Sequence, residues 1–215
     1  MEVYLVRHGE TESNKEKRFQ GWSESPLSPK GLHQAREAGF FLGRKEIDAV
    51  YASDLKRAIH TARIIGASCG LKPVESPLLR EINFGQWEGL TYNEIEAQWG
   101  NLIREWFDDP FCRSAPGGET LEDVRQRLYS FIGELLKHEW SSGNQRLVLV
   151  SHGGAIRVLL YYALRLNREQ FWNLRIENAS VSLINLEKER VEVVYYNRVD
   201  HLESGLDKEE LTDGL

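Results

Sequence analysis

The sequence predicts an α/β fold: a three-layer sandwich whose mainly parallel sheet is flanked by helices. Three observations carry this. Short apolar runs that read as buried strands alternate with helical segments. Two of those runs end alike, in Val6-Arg7-His8-Gly9 and Val150-Ser151-His152-Gly153. The chain has 215 residues, 41% of them hydrophobic, enough to bury about 70% of its unfolded surface in one domain. A single domain spanning 1–215 is expected.

The elements follow in order. Glu2 to Val6 is short, apolar and valine-containing, which favours a buried strand over a helix. Residues 9–27 are polar with little periodicity and read as a loop. Ser28-Pro29 resembles an N-cap with proline at the first helical position. Leu32, Ala35, Arg36, Gly39 and Leu42 continue at helical spacing to a stop at Gly43. Ile47 to Ala52 is a second strand, and Ser53-Asp54 is the expected cap of a helix carrying Ile59, Ala62, Ile64 and Ile65 to Gly70. Val74 to Leu79 reads as weakly extended.

Residues 80–118 change in texture. Aromatic residues (Phe84, Trp87, Trp99, Trp106, Phe107, Phe111) mix with turn formers, and a helical excursion of one or two short helices is expected. Thr120 and Asp123 have the form of a capping box. Val124, Leu128, Phe131, Ile132, Leu135 and Leu136 then share one helical face. Leu147 to Val150 is a further strand, Ala155 to Leu164 an apolar helix, and Ser180–Leu186 with Arg190–Tyr196 a pair of strands. From about residue 198 the chain is an acidic tail, with six acids against Arg198 and Lys208.

Composition excludes several function classes. The net charge of −6 argues against nucleic acid and anionic membrane as partners, since both are polyanions. No apolar run reaches the roughly 18 residues of a membrane span. The first residues lack the basic leader and long apolar stretch of a signal peptide. Two distant cysteines, Cys69 and Cys112, suggest a thiol-reduced, cytoplasmic protein. His33, His60 and His138 have no ligand-spaced partners, so neither metal nor cofactor is expected. Asn178-Ala179-Ser180 matches a glycosylation pattern that a cytoplasmic chain does not use. The state expected is monomer or homodimer.

In a parallel sheet, ligands bind beyond the carboxyl ends of the strands. Two histidines leaving strand ends at one sheet edge can face one another. Arg7 places a fixed cation beside His8 and favours a neutral, nucleophilic ring. Gly9 lets backbone approach a ligand closely. Arg57 lies early in a helix that starts at the same edge. Arginine forks suit a phosphoryl group, whose charge is spread over three oxygens.

Leu5-Val6-Arg7-His8-Gly9-Glu10-Thr11, with Asn14, resembles the opening motif of the histidine phosphatase (phosphoglycerate-mutase-like) superfamily. The likeness covers nearly the whole chain. It continues through Phe19-Gln20-Gly21-Trp22, Leu27-Ser28-Pro29-Lys30-Gly31, Ser53-Asp54-Leu55 with Arg57-Ala58, and Leu79-Arg80-Glu81. It ends with Phe84 to Gly89, Pro116 to Thr120 and Val150 to Gly154. The resemblance implies a phosphoric monoester hydrolase of the histidine acid phosphatase type, acting on a small phosphorylated metabolite. His8 is the implied nucleophile. Arg7, Arg57 and His152 are implied to stabilise the transferring phosphoryl group, and Glu81 to act as acid and then base. Asn14, Gln20, Gly21 and the Gly153 amide are the implied phosphate contacts.

Three readings of the function compete. The Phe84–Gly89 stretch resembles the superfamily's small phosphatases, alpha-ribazole-5′-phosphate phosphatase of cobalamin biosynthesis among them. A cofactor-dependent phosphoglycerate mutase shares the catalytic residues but is generally longer. A non-catalytic phosphate-binding module is the third. The aromatic run could cap an apolar base, although Ile95, Trp99, Ile103 and Trp106 also fit plain core packing. The bland alternative for Glu81 is a surface carboxylate paired with Arg80.

Overall fold

The computed structural model describes residues 1–139, 145–187 and 190–203. Most of the acidic tail lies outside them. Among the described residues there is one six-stranded sheet, in the order β3-β2-β4-β1-β5-β6. It is built from β1 (Glu2–Arg7), β2 (Ala49–Ala52), β3 (Val74–Glu75), β4 (Arg146–Ser151), β5 (Val181–Leu186) and β6 (Val191–Arg198). The first four run parallel, and β5 and β6 are antiparallel additions at one side. The fold is therefore α/β with a mostly parallel sheet flanked by helices, as the alternation of elements predicts.

Strand alternation explains why β1 and β4 read as unbroken apolar runs: both faces are covered. Val3, Leu5, Leu147 and Leu149 face a cluster shared with α6 (Leu121–Glu139) and α7 (Gly153–Ala163). Tyr4, Val6, Val148 and Val150 face the opposite cluster, shared with α2 (Pro29–Leu42) and α3 (Lys56–Cys69).

The helix ends follow local chemistry. Ser28 accepts from the Gly31 amide and Pro29 opens α2. Gly70, at φ +71°, closes α3 in the left-handed region. Thr120 and Asp123 exchange the two bonds of a capping box. Three expectations need correction. The loop 9–27 contains one helical turn, α1 (Glu12–Lys15), capped by Thr11. Only Val74–Glu75 of the 74–79 segment is strand, because Pro77–Leu79 turns into a 3-10 helix. The cap position of α3 is Leu55, not Ser53-Asp54.

The excursion contains two short helices, α4 (Tyr92–Trp99) and α5 (Leu102–Asp108), separated by Gly100 at φ +58°. Its aromatics are largely core. Trp87 and Trp106 are buried with Ile95, Ile103 and Ala115, and Trp99 packs at the margin. The chain ends, among the described residues, in the short helix α8 (Asp200–Glu203). No described helix is long and apolar enough to cross a membrane.

Candidate active site

Neighbouring strands bring the two histidines together. β1 pairs with β4 so that Val6 opposes Val150 and Arg7 opposes Ser151. His8 and His152 are the residues immediately after each strand. The His8 amide donates to the Ser151 carbonyl at 3.0 Å. Their rings meet edge to face, with centroids 5.1 Å apart.

The His8 tautomer follows from its partner. Nδ1 lies 2.8 Å from the Gly9 carbonyl. A carbonyl only accepts, so Nδ1 carries the proton and Nε2 keeps its lone pair. Burial pushes the His8 pKa well below the ordinary histidine value, and the Arg57 and Arg7 guanidinium groups push it further in the same direction. The sequence points to the cations, but desolvation is the larger cause. Gly9 also serves differently from the expectation. A Cβ there would stand 2.3 Å from the Gly31 carbonyl, so its missing side chain admits the start of α2. The Gly9 amide is fixed by Thr61 Oγ1 at 3.1 Å.

Three cationic or polar groups surround His8. Arg57, in the first turn of α3, donates through Nη2 to Gly21 O at 2.6 Å and through Nη1 to Ser23 O at 2.9 Å. Arg7 donates through Nη1 to Ile176 O at 2.6 Å. His152 Nε2 lies 2.8 Å from Ser53 Oγ, which also accepts from the Leu55 amide. This contact is the role of Ser53 in place of a helix cap. The His152 pKa is lowered, first by burial and then by Arg57 and His8. Arg7 Nε, Arg57 Nε and His152 Nδ1 are buried and have no hydrogen-bond partner within the protein. Buried, unpaired nitrogens beside two guanidinium groups suit an anionic oxygen.

Glu81 is not paired with Arg80. Arg80 instead donates to Asp54, with Nε at 2.7 Å, and lies 4.6 Å from the Trp22 ring centroid. The Glu81 carboxylate accepts from the amides of Gly154 and Ala155, in the first turn of α7, at 3.1 Å each, and from Ile82 N at 3.0 Å. A Cβ on Gly154 would fall 2.5 Å from Glu81 Oε1.

A cavity of about 300 Å³ opens over this site. Of the residues singled out in the sequence, Arg7, His8, Asn14, Gln20, Gly21, Arg57 and Glu81 line it. His152 is fully buried beside His8 and does not line it. Gly153 lies against Arg7, whose Nε is 3.3 Å from where a Cβ would be. Asn14 accepts from the Thr11 amide and from Asn178 Nδ2. Gln20 accepts from Thr11 Oγ1 at 3.0 Å.

Several contributors escape sequence reasoning. Lys17 and Arg18 join Phe19 and Phe84, both already in the sequence motifs, on the cavity wall. Of the aromatic run 84–111 only Phe84 reaches the cavity, so the run supplies one wall and not a cap over a base. Asn178, in the glycosylation-like triplet, donates to the His8 carbonyl at 3.2 Å. Its signal was the polar triplet itself, sited just before β5. Among the described residues no group of three His, Cys, Asp or Glu side chains is placed to hold a metal ion. Cys69 and Cys112 are free.

Comparison with known proteins fits this geometry. Phosphoserine phosphatase 1 of Hydrogenobacter thermophilus is 33% identical over 202 residues, covering 94% of each chain. A 2,3-bisphosphoglycerate-dependent phosphoglycerate mutase of Cytophaga hutchinsonii is 34% identical over 169 residues, covering 78% of this chain and 79% of that protein. Among solved structures, mycobacterial glucosyl-3-phosphoglycerate phosphatase in complex with VO3 superposes with a TM-score of 0.83 at 30% identity. It covers 92% of this chain and 99% of its own. The alpha-ribazole phosphatase of Shigella flexneri gives 0.81 at 28% identity, covering 92% and 96%. The family model described as histidine phosphatase superfamily (branch 1) matches residues 3–199, and the chain belongs to that superfamily.

Proposed function

We propose that the protein hydrolyses small phosphomonoesters through a phosphohistidine formed on His8. The observation that carries this reading is the bond from His8 Nδ1 to the Gly9 carbonyl at 2.8 Å. It leaves the Nε2 lone pair unprotonated in a cavity that also holds Arg7, Arg57 and Glu81.

In the first step the Nε2 lone pair forms a bond to phosphorus. The ester P–O bond breaks, and protonated Glu81 gives its proton to the departing oxygen. Arg7, Arg57 and His152 stabilise the charge on the non-bridging oxygens. In the second step water attacks phosphorus and the Glu81 carboxylate takes its proton. The N–P bond breaks and its electron pair returns to Nε2. Asn14, Gln20, Gly21 and the Gly153 amide are assigned to phosphate binding. No metal or cofactor enters the reaction.

The test is rapid quench with a phosphomonoester. An acid-labile, base-stable phosphoenzyme is expected, absent in His8→Ala. Full turnover by His8→Ala removes the reading.

The specific substrate proposed is alpha-ribazole 5′-phosphate. The Phe84–Gly89 stretch and the likeness to the Shigella protein support it, while the core role of most of the aromatic run leaves Phe84 to contact the base. A panel with phosphoserine and glucosyl-3-phosphoglycerate decides. Turnover of alpha-ribazole 5′-phosphate no faster than that of the other two ends the specific assignment. The mutase reading is favoured by the Cytophaga relative. It is separated by supplying 3-phosphoglycerate with and without 2,3-bisphosphoglycerate, and measuring phosphate release against 2-phosphoglycerate formation. The phosphatase reading expects phosphate. The net charge of −6 and the two distant cysteines support extending the proposal to a cytoplasmic monomer or homodimer without nucleic-acid or membrane partners.

A further inference from the structure

The carboxylate assigned to acid-base work sits on a stretch outside regular secondary structure. It follows the 3-10 turn Pro77–Leu79 and precedes the next such turn, Gly85–Trp87. An irregular segment needs its backbone groups satisfied from elsewhere. Here side chains do it. Ser151 Oγ donates to Leu79 O at 2.8 Å. Trp22 Nε1 donates to Glu81 O at 2.9 Å.

One residue does most of the rest. Arg127, on α6, donates through Nη1 to Leu78 O at 2.9 Å and Arg80 O at 2.7 Å. Its Nη2 donates to Glu81 O at 2.8 Å and to Glu119 Oε2 at 3.1 Å. Its Nε donates to Glu119 Oε1 at 2.9 Å. Glu119 then holds the other side of Glu81: Oε2 accepts from the Asn83 amide, and the Glu119 amide donates to the Asn83 carbonyl, both at 2.9 Å. The pair is mostly buried, with side-chain exposures of 12% and 19%. Three of the five donations from this planar fork fix the backbone carbonyls of Leu78, Arg80 and Glu81, and the other two hold Glu119, which fixes Asn83 on the far side; lysine does not reproduce that geometry.

We propose that Arg127, braced by Glu119, is a positioning residue that aims the Glu81 carboxyl group at the leaving oxygen. This rests on the reading of Glu81 as acid. Arg127 does not line the cavity and contacts Glu81 through its carbonyl, so its loss is expected to act through the placement of Glu81. A poor leaving group needs the proton and a good one does not. Arg127 is therefore required in proportion to the leaving group's basicity, which a merely structural arginine is not.

The experiment is single-turnover phosphoenzyme formation from two substrates, an alkyl phosphate (glycerol 3-phosphate) and 4-nitrophenyl phosphate. Arg127→Met is expected to slow the alkyl substrate about 10²-fold and the nitrophenyl substrate less than about tenfold. Glu119→Gln, which keeps size and backbone, is expected to shift the same ratio in the same direction and serves if Arg127→Met does not fold. Glu81→Gln is the reference. If it shows no leaving-group dependence, the reading of Glu81 itself fails. If it shows that dependence while Arg127→Met and Glu119→Gln slow both substrates equally, or neither, the positioning role is overturned. In the double variant with Glu81→Gln, Arg127→Met is expected to leave the substrate ratio unchanged. A further change in that ratio also overturns the proposal.

Discussion

The Glu81 carboxylate rests on the backbone amide of Gly154, 3.1 Å away, at the start of the helix that follows His152. The second of the two glycines after that histidine thus seats the carboxylate, and its missing side chain makes the contact possible. A methyl group at this position would meet Glu81 Oε1 at 2.5 Å and Ile82 Cδ1 at 2.6 Å. Both are far ends of side chains and can move.

Gly154→Ala is therefore expected to fold while displacing the Glu81 carboxylate. Turnover of an alkyl phosphate should fall about 10²-fold, with the circular dichroism spectrum retained. An unchanged kcat would show that the seat does not matter.

The buried histidines tie stability to pH. In the folded state His8 and His152 have pKa values well below the ordinary 6.5. Above about pH 6.5 both are neutral whether the chain is folded or unfolded, and they carry no penalty. As pH falls below that value the unfolded chain takes up protons that the folded chain refuses, so stability falls. The slope is at most about 1.4 kcal/mol per pH unit for each histidine. Thermal melts from pH 8 to pH 5 should show this loss. It should be smaller in His8→Ala, compared with that variant's own value at pH 8. An equal slope in the two proteins contradicts the assignment of the loss to His8.

Ser53 Oγ accompanies His152 Nε2 at 2.8 Å in a fully buried position. Ser53→Ala leaves both that ring and the Leu55 amide without this partner, and should cost roughly 1–3 kcal/mol in stability. It should also lower kcat through a freer His152. Urea denaturation and steady-state kinetics measure the two effects. A stable variant with normal kcat would reduce Ser53 to a packing residue.

His201, on α8, lies with Nε2 3.1 Å from the Ala179 carbonyl. The loop it contacts holds Arg7 and His8: Ile176 O accepts from Arg7, the Ala179 amide donates to Arg7 O, and Asn178 donates to His8 O. His201→Ala should weaken competitive inhibition by inorganic phosphate and lower Tm by about 2–4 °C, as expected for about 1 kcal/mol in a domain of this size. His201→Gln, which retains an amide donor, should recover part of both. Unaltered inhibition by phosphate in His201→Ala would detach this segment from the site.

The sequence by itself determined most of the strands and helices and singled out His8 as the candidate nucleophile. β1 and β4 were legible because a strand buried on both faces leaves a continuous apolar run. α2 and α6 were legible because Ser28, Pro29, Thr120 and Asp123 are local signals read within one turn. Arg7, His8, Arg57, Glu81 and His152 stood in motifs whose order along the chain is itself informative. Only the tertiary structure decided what holds them. Ser53 and His152 are 99 residues apart, Glu81 and Gly154 73, and Arg127 reaches the Glu81 carbonyl across 46. Such contacts leave no periodicity, because a side chain that satisfies a distant carbonyl needs no particular neighbours in sequence. Ser53 therefore read as a helix cap, Arg80 as the partner in the bland alternative for Glu81, and Asn178 only as part of a glycosylation-like triplet. The strand order brought each of them to the carboxyl ends of the neighbouring strands β1 and β4, beside His8 and His152.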